Sequence, residues 1–217
     1  MTKKILFNDK CGLTNAVLSG IKDRTMRECK IQCPNSTYKI IFPELDDSFG
    51  ASPFAYCFKW GNTNTKDYTA WNKIKYKVGE VVAIAQCYKD VLIDNPSSKF
   101  RDIILDNNYD PKPEYKAGYT NKMFVNSSLM PHHIKIINIG IQRPQNLIEE
   151  EILREGISKY DYEDDCGNHH ISYSYSLNEK GYPTAKESFK ELLYNTCGKD
   201  FYDRNPFCFV YDFILID

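Results

Sequence analysis

The sequence predicts an α+β fold built on a mixed, barrel-like sheet with short helices on its outside. Buried-strand patterns recur at 80–88, 133–142 and 207–216. Short segments with helical spacing separate them, and irregular stretches rich in Pro, Gly, Asn and aromatic residues interrupt the order. Because strand and helix do not alternate regularly and no repeat is present, a doubly wound parallel sheet and a repeat solenoid are disfavoured.

The three predicted strands are recognised by their apolar character. In YKVGEVVAIAQCY, a turn at Val78–Gly79 precedes a nearly continuous run of β-branched and small apolar residues, which is typical of a buried strand. The chain ends with NPFCFVYDFILID, which is also strand-like. In HHIKIINIGIQ, strict alternation would place these residues on one face of a strand: His133, Lys135, Ile137, Ile139 and Ile141.

Three short helices are predicted, near 14–20, 147–155 and 185–196, since their apolar stripes need a partner surface. Each segment has residues that could begin or end a helix. The expected capping residues are Thr14 for the first, Asn146 with Glu149 for the second, and Thr184 with Glu187 for the third, and Gly20 and Gly156 end the first two.

The chain is predicted to form one domain over residues 1–217, with long insertions at about 30–75 and 158–183. No stretch between the predicted elements has the Gly/Ser-rich or Pro-rich composition of a linker. The first insertion is rich in turn residues but also in aromatic ones, so we expect it to pack against the rest of the domain.

Charge and hydropathy limit the classes of partner. The chain has 28 Lys and Arg against 29 Asp and Glu, so it lacks the positive excess of proteins that coat nucleic acid without specificity. A contact with one nucleotide or a short RNA segment would have to be local. The first residues, MTKKILFND, contain only a three-residue apolar run, and no stretch is apolar enough to span a bilayer. We therefore expect a cytoplasmic protein with no membrane partner.

Cysteine and histidine spacing does not predict a metal or a disulfide framework. The eight cysteines are scattered and several lie in apolar runs, which favours buried, reduced thiols. Cys29 and Cys33 are four apart, Cys166 precedes His169 by three, and two histidines are adjacent at 132–133, but no paired zinc motif is formed. We predict no metal and no other cofactor.

Basic and hydroxyl side chains follow the first predicted helix in GIKDRTMR. No serine-hydrolase, P-loop or dinucleotide-binding motif occurs elsewhere in the chain. Here Lys22 and Thr25 follow Gly20 closely, so a tight turn could place an amine beside a hydroxyl, where a desolvated lysine acts as base or polarises a carbonyl. A solvated lysine and a threonine in a local turn explain the same residues.

Glu155 is a candidate proton donor. It lies in the last turn of the second predicted helix, where the negative end of the helix dipole disfavours an ionised carboxylate and favours the protonated acid. The alternative is that Arg154 and solvent compensate the charge and that Glu155 is an ordinary surface residue.

Four motifs in order resemble the ASCH family of the PUA-like β-barrel superfamily, in particular its larger bacterial and phage members. The family's G-x-K-x-x-T-x-R is matched by Gly20, Lys22, Thr25 and Arg27. YKVGEVVAIAQCYKD resembles its VGD-x-V strand, NLIEEEILREGI resembles its L-T-E-E-x-A-x-x-E-G helix, and NPFCFVYDFILI resembles its closing NPWVWVIEF strand. These motifs bracket nearly the whole chain.

The resemblance implies a PUA-like mixed β-barrel whose cleft accepts a nucleotide or an RNA segment. Some small ASCH proteins are amidohydrolases that remove the acetyl group from N4-acetylcytidine with a lysine, a threonine and a glutamate. Carried over by motif, these residues are Lys22, Thr25 and Glu155. Where many larger relatives have Arg-Glu-Thr and an aromatic residue after the VGD strand, this chain has Ala85-Gln86-Cys87-Tyr88, and a charged pair is lost.

Three function hypotheses follow. The first is recognition of RNA or a modified nucleotide, with Arg24 and Arg27 contacting phosphate and aromatic side chains stacking on a base. The second is hydrolysis of an amide on a modified nucleobase by Lys22, Thr25 and Glu155. The third is an interaction protein on the same scaffold with no catalytic role. The first two differ in whether Lys22 is a neutral amine or a charged phosphate clamp.

Overall fold

A computed structural model describes residues 3–41, 57–94, 117–175 and 181–216. The strands in these ranges are β1 (Lys4–Ile5), β2 (Arg24–Glu28), β3 (Lys39–Ile41), β4 (Cys57–Asn62), β5 (Asp67–Tyr68), β6 (Asn72–Lys73), β7 (Val81–Ile84), β8 (His133–Gln142), β9 (Ser158–Glu163), β10 (His169–Ser174) and β11 (Cys208–Leu215). The α-helices are α1 (Leu13–Leu18), α2 (Tyr88–Asp94), α3 (Glu149–Arg154), α4 (Ala185–Cys197) and α5 (Lys199–Arg204).

Five strands form the central sheet, in the order β1-β7-β8-β11-β2. β1 runs parallel to β7, and the other neighbours are antiparallel. The three strands predicted from the sequence are therefore β7, β8 and β11, adjacent in one sheet, as expected. The α+β class is confirmed. β1 and β2 stand at opposite ends of this order, and no pairing closes the described strands into a barrel.

A bulge in β8 changes which side chains face the core. Asp212 of β11 is opposite Asn138, but the next residue, Phe213, is opposite Ile136, so Ile137 has no partner. Ile134 and Ile136 before the bulge are fully buried, whereas Ile139 and Ile141 after it pack against the same core. The prediction of one continuous face over 133–141 was wrong, because the extra residue shifts the alternation by one.

The three predicted helices are present as α1, α3 and α4, but only one of them is capped as predicted. Thr184 caps α4, since its hydroxyl accepts a hydrogen bond from the Glu187 N–H at 3.2 Å. Thr14 instead lies inside α1 and donates to Asp9. α3 begins after Ile148, whose N–H donates to the Glu151 carboxylate at 3.1 Å, so Glu151 has the role predicted for Glu149.

The two insertions form small sheets of their own. β3, β4, β5 and β6 come from the first insertion, and its residues 42–56 lie outside the described ranges. Phe58 and Trp60 of β4 are buried in the main core with their rings edge to face, which confirms that this insertion packs. β9 and β10 form a hairpin from the second insertion, of which 176–180 are outside the description.

Apolar side chains cover both faces of β7. Val82 and Ile84 belong to the main core, whereas Ala83 on the opposite face packs with Tyr88 and Val91 of α2 in a second, smaller cluster. This explains the continuous apolar run of the sequence, since a strand covered on both faces has no polar side. Among the described residues, no helix has the length and apolar character that crossing a bilayer requires.

The bulge in β8 predicts different effects for two isoleucines that are adjacent in sequence. Ile136→Ala should lower the free energy of unfolding by about 2–5 kcal/mol, because it leaves a cavity at a fully buried position. Ile137→Ala should change it by less than about 1 kcal/mol, since Ile137 is 46% exposed. Urea denaturation of the two variants measures the difference. Equal losses would contradict the assignment of Ile137 to the bulge.

Candidate functional site

Lys22 and Glu155, 133 residues apart in sequence, form a buried ion pair. The Lys22 Nζ lies 2.8 Å from Glu155 Oε2 and also donates to the Glu155 backbone carbonyl at 2.6 Å. The side chains are 1% and 6% exposed. Two residues predicted as site candidates from separate motifs are thus in direct contact, and the surface alternative for Glu155 does not hold.

Backbone turns on both sides bring the pair together. Gly20 takes a positive φ of 76° after α1, and the Lys22 N–H donates back to the Ala16 carbonyl at 2.9 Å. Glu155 follows α3, and the next residue, Gly156, has a φ of 100°. A Cβ at position 156 would be 3.4 Å from the Lys22 Cδ. Glycine at 156 therefore permits the left-handed turn, whereas a Cβ there would make only an ordinary van der Waals contact with Lys22.

Burial changes the electrostatics of the pair. It lowers the pKa of the Lys22 amine, although the Glu155 carboxylate acts in the opposite direction. The second carboxylate oxygen, Glu155 Oε1, is buried and makes no hydrogen bond to another described residue. Leaving such an acceptor unpaired costs about 1–3 kcal/mol. The site therefore retains a strong acceptor beside an amine that gives up its proton more readily than usual.

Thr25 lies on β2 beside Tyr211 of β11, and it is only 2% exposed. The Lys22 amine donates to Glu155 and not to the Thr25 hydroxyl, which makes no hydrogen bond within the described ranges. The predicted amine–hydroxyl contact is therefore not formed in this structure, although both residues are buried in the same segment of the chain.

Arg24 lies on the opposite face of β2 from Thr25, because successive side chains of a strand alternate. Its guanidinium bonds to Asp212 Oδ1 at 2.7 Å and to Glu151 Oε1 at 2.8 Å. Asp212 also accepts a hydrogen bond from Asn138 at 2.9 Å and lies 3.2 Å from Arg154. This network joins β2, β8, β11 and α3, so the Arg24 charge is already compensated by protein carboxylates.

Arg27 and Lys75 form an exposed basic cluster beside the buried pair. Arg27 donates only to backbone carbonyls, to Leu6 at 2.7 Å and Met26 at 3.3 Å. Neither cation forms an ion pair with a carboxylate of the described residues. Burial, and then the charges of Arg27 and Lys3, lower the pKa of Lys75, while Arg27 has the same effect on Lys22. Arg27 and Lys75 thus repel each other, and neither has a carboxylate counter-ion within the described part of the chain, unlike Lys3 and Lys22, which pair with Glu80 and Glu155.

Lys75 was not predicted from the sequence. Lys75 belongs to no sequence motif that includes Lys22 and Arg27, because it lies at the end of the first insertion. Only the tertiary structure brings it close to Arg27. Its backbone is fixed there by the Lys3 amine, which donates to the Lys75 carbonyl at 2.6 Å. The one available sign is the alternation of lysine with apolar and aromatic residues in KIKYK, at 73–77.

A cavity elsewhere in the fold is lined by residues of α1, α2 and the segments that precede them, among them Asp9 and Gln86. None of the five predicted site residues lines it. The described residues contain no group of three or more His, Cys, Asp or Glu side chains arranged to hold a metal ion.

No protein-family model, curated protein or solved structure matches this chain. The resemblance to ASCH proteins therefore rests on the four motifs in the sequence. Two of these motifs supply Lys22 and Glu155, which meet in the fold, and the other two supply the strands β7 and β11, both of which pair with β8 in the central sheet.

Removing one partner of the buried pair should be costly. Lys22→Met leaves the Glu155 carboxylate buried without a counter-ion, so we expect the free energy of unfolding to fall by about 3–5 kcal/mol. The double variant Lys22→Met/Glu155→Leu removes both charges and should recover most of this loss. Urea denaturation of both proteins measures the effects. A loss below about 1 kcal/mol in the single variant would contradict a closed, buried pair.

The ion pairs of Asp212 should make the protein less stable in acid. Burial raises its pKa, but hydrogen bonds from Arg24 and Asn138 outweigh burial and hold the native pKa below its ordinary value. The unfolded value is about 3.9, so the stabilisation is complete above that pH and is lost as pH falls through the native pKa. Relative to wild type, Asp212→Asn should be less stable by about 3 kcal/mol at pH 7.

This difference in unfolding free energy should shrink below about pH 4. Urea titrations from about pH 7 to about pH 2.5 follow it, with Asp67→Asn on the exposed strand β5 as the control. A difference independent of pH would show that the charge of Asp212 is not the stabilising feature.

Proposed function

We propose that this chain is an ASCH-like protein that recognises RNA or a modified nucleotide on a PUA-like scaffold. The phosphate would lie against Arg27 and Lys75, and the base would extend toward the Lys22–Glu155 pair and Thr25. The motif resemblance supports the class of ligand, and the contacts within the fold support the position of each part.

The observation that carries the proposal is the uncompensated basic cluster beside a buried, unpaired acceptor. Arg27 and Lys75 both lack a carboxylate partner within the described ranges, and their mutual repulsion is relieved when an anion binds between them. Phosphate is an anion that guanidinium and ammonium groups bind well through charge-assisted hydrogen bonds. Glu155 Oε1 supplies an acceptor for the exocyclic amino group of a base.

Arg24 is not part of the proposed ligand contact. Its guanidinium is held by Asp212 and Glu151, and withdrawing it toward a phosphate would leave both carboxylates partly buried without their partner. We assign it to the support of β2, and Lys75 takes its place as the second phosphate contact.

Amide hydrolysis is the second candidate, and the lowered pKa of Lys22 favours it. Moving one proton along the 2.8 Å contact from Lys22 Nζ to Glu155 Oε2 gives a neutral amine beside a protonated acid. This step then needs a movement that brings the Lys22 amine to the Thr25 hydroxyl, which it does not contact here, so that the amine takes the hydroxyl proton as the threonine oxygen attacks the acetyl carbon. The Glu155 acid protonates the departing cytosine N4 as the C–N bond breaks, and water releases acetate from the threonine ester.

Access is the constraint on this second candidate. Lys22, Thr25 and Glu155 are nearly closed to solvent, so a carbonyl can reach them only if the turns around Gly20 and Gly156 yield. Contact of a phosphate with the exposed cations needs no such motion, whereas a base reaches Glu155 Oε1 only if the same turns yield. For this reason we rank recognition of a nucleotide or RNA as the first function hypothesis and amide hydrolysis as the second. A non-catalytic interaction protein on the same scaffold is the remaining alternative.

Binding is tested by titrating cytidine 5′-monophosphate and a short single-stranded RNA at low salt. Arg27→Ala and Lys75→Ala should each weaken binding by about 1.5–3 kcal/mol, because each removes a charge-assisted contact. Lys186→Ala, an exposed lysine of α4, is the matched control and should bind as wild type does. If all three variants bind alike, or if wild type binds neither ligand, the nucleotide proposal fails.

Hydrolysis is tested by incubating the protein with N4-acetylcytidine and separating the products by chromatography. Wild type should release cytidine, and Glu155→Gln and Lys22→Ala should lose nearly all turnover, since each removes one of the two proton-transfer groups. Circular dichroism establishes that each variant is folded. An inert wild type that still binds the nucleoside would eliminate this substrate and leave recognition as the function.

A further inference from the structure

The cavity beside α1 and α2, which contains none of the predicted site residues, has a volume of about 320 Å³. This volume is at the lower end of the range for small-molecule sites, roughly 300–1,000 Å³. Its polar lining combines side chains from three segments: Asp9 before α1 with Thr14 and Asn15 in its first turn, Gln86 after β7, and Asp90 and Asp94 on α2.

The buried part of the lining holds an unpaired acceptor. Gln86 is only 6% exposed, and its Oε1 makes no hydrogen bond to another described residue. The Gln86 backbone N–H donates a hydrogen bond to the Met130 sulfur at 3.3 Å. A buried amide oxygen is normally paired, and Gln86 is one of the residues that line the cavity, so a donor reaching this oxygen from the cavity would satisfy it.

The rim of the cavity has more negative than positive charge. Asp9 is paired with the Lys122 amine at 2.6 Å. Asp90 accepts a hydrogen bond from the Cys87 thiol at 2.9 Å, and the thiol is uncharged because burial, followed by the hydrogen bond to Asp90, raises its pKa. Neither Asp90 nor Asp94 forms an ion pair with a described residue. Two exposed carboxylates of the lining therefore have no ion-pair partner within the described part of the chain.

We infer that this cavity binds a small organic cation carrying a guanidinium or primary ammonium group. Such a group donates several hydrogen bonds in different directions, which the Gln86 amide oxygen and the carboxylates of Asp90 and Asp94 accept. A phosphate or carboxylate ligand would be repelled by the same groups. The Lys122 amine, which pairs with Asp9 of the lining, is already shared among the Asp9 carboxylate, the Thr14 hydroxyl and the Phe7 carbonyl.

The cation site is independent of the proposed nucleotide site. The residues of that site, Lys22, Thr25, Arg27, Lys75 and Glu155, do not line the cavity. The exposed groups of the two sites also have opposite charge, so ligands of one class are repelled from the other. Either proposal can therefore fail without the other.

The test uses agmatine, which carries both cationic groups, titrated into the full chain at constant ionic strength and followed by ¹H–¹⁵N NMR. Wild type should show saturable shifts at Gln86 and α2. Gln86→Leu should weaken binding at least about tenfold, because a hydrogen bond to a charged donor is lost. Asp94→Asn, at an exposed position, should weaken it about three- to fivefold.

Asp67→Asn, which removes an exposed carboxylate away from the cavity, is the control and should leave agmatine affinity unchanged. Absence of saturable shifts in wild type at millimolar agmatine would overturn the inference. Equal weakening by Asp94→Asn and Asp67→Asn would also overturn it, since that result describes general surface attraction. Should Gln86→Leu fail to fold, Asp90→Asn/Asp94→Asn decides the question, because both positions are exposed.

Discussion

The buried ion pair between Lys22 and Glu155 is the constraint on which the site depends. Removing two charges from water is expensive, and their attraction offsets that cost only if the geometry of the pair is kept. Geometry is kept by Gly20 and Gly156, whose left-handed backbone allows the two turns to approach. The pair therefore joins the segment after α1 to the end of α3, and α3 must stay against the central sheet for either charge to be tolerated.

The short strand β2 places two different chemical environments back to back. Arg24 extends from one face into a network of carboxylates that supports the sheet and α3. Thr25 and Arg27 extend from the other face, where Arg27 has no carboxylate partner among the described residues. Strand alternation thus divides one basic motif into a structural arginine and an arginine that is free to contact a ligand.

The sequence predicted the parts of the fold that depend on local pattern and failed where tertiary contacts decide. The strands β7, β8 and β11 were predictable from apolar runs, and motif positions singled out both Lys22 and Glu155. The bulge at Ile137 was not predictable, because one unpaired residue does not change the hydropathy pattern of the strand. Lys75 and Gln86 gain their significance only from neighbours distant in sequence, so no spacing along the chain identifies them.

The proposed site places a nucleotide beside Lys75 and the Lys22–Glu155 pair, so binding should change the surroundings of both amines. A ¹³Cε-lysine NMR titration measures this directly, with the Lys22 resonance assigned by its loss in Lys22→Met. We expect a pKa below the ordinary lysine value of about 10.4 and a shift of the Lys22 and Lys75 resonances on addition of cytidine 5′-monophosphate. An ordinary pKa with no response at either lysine would contradict the proposed site.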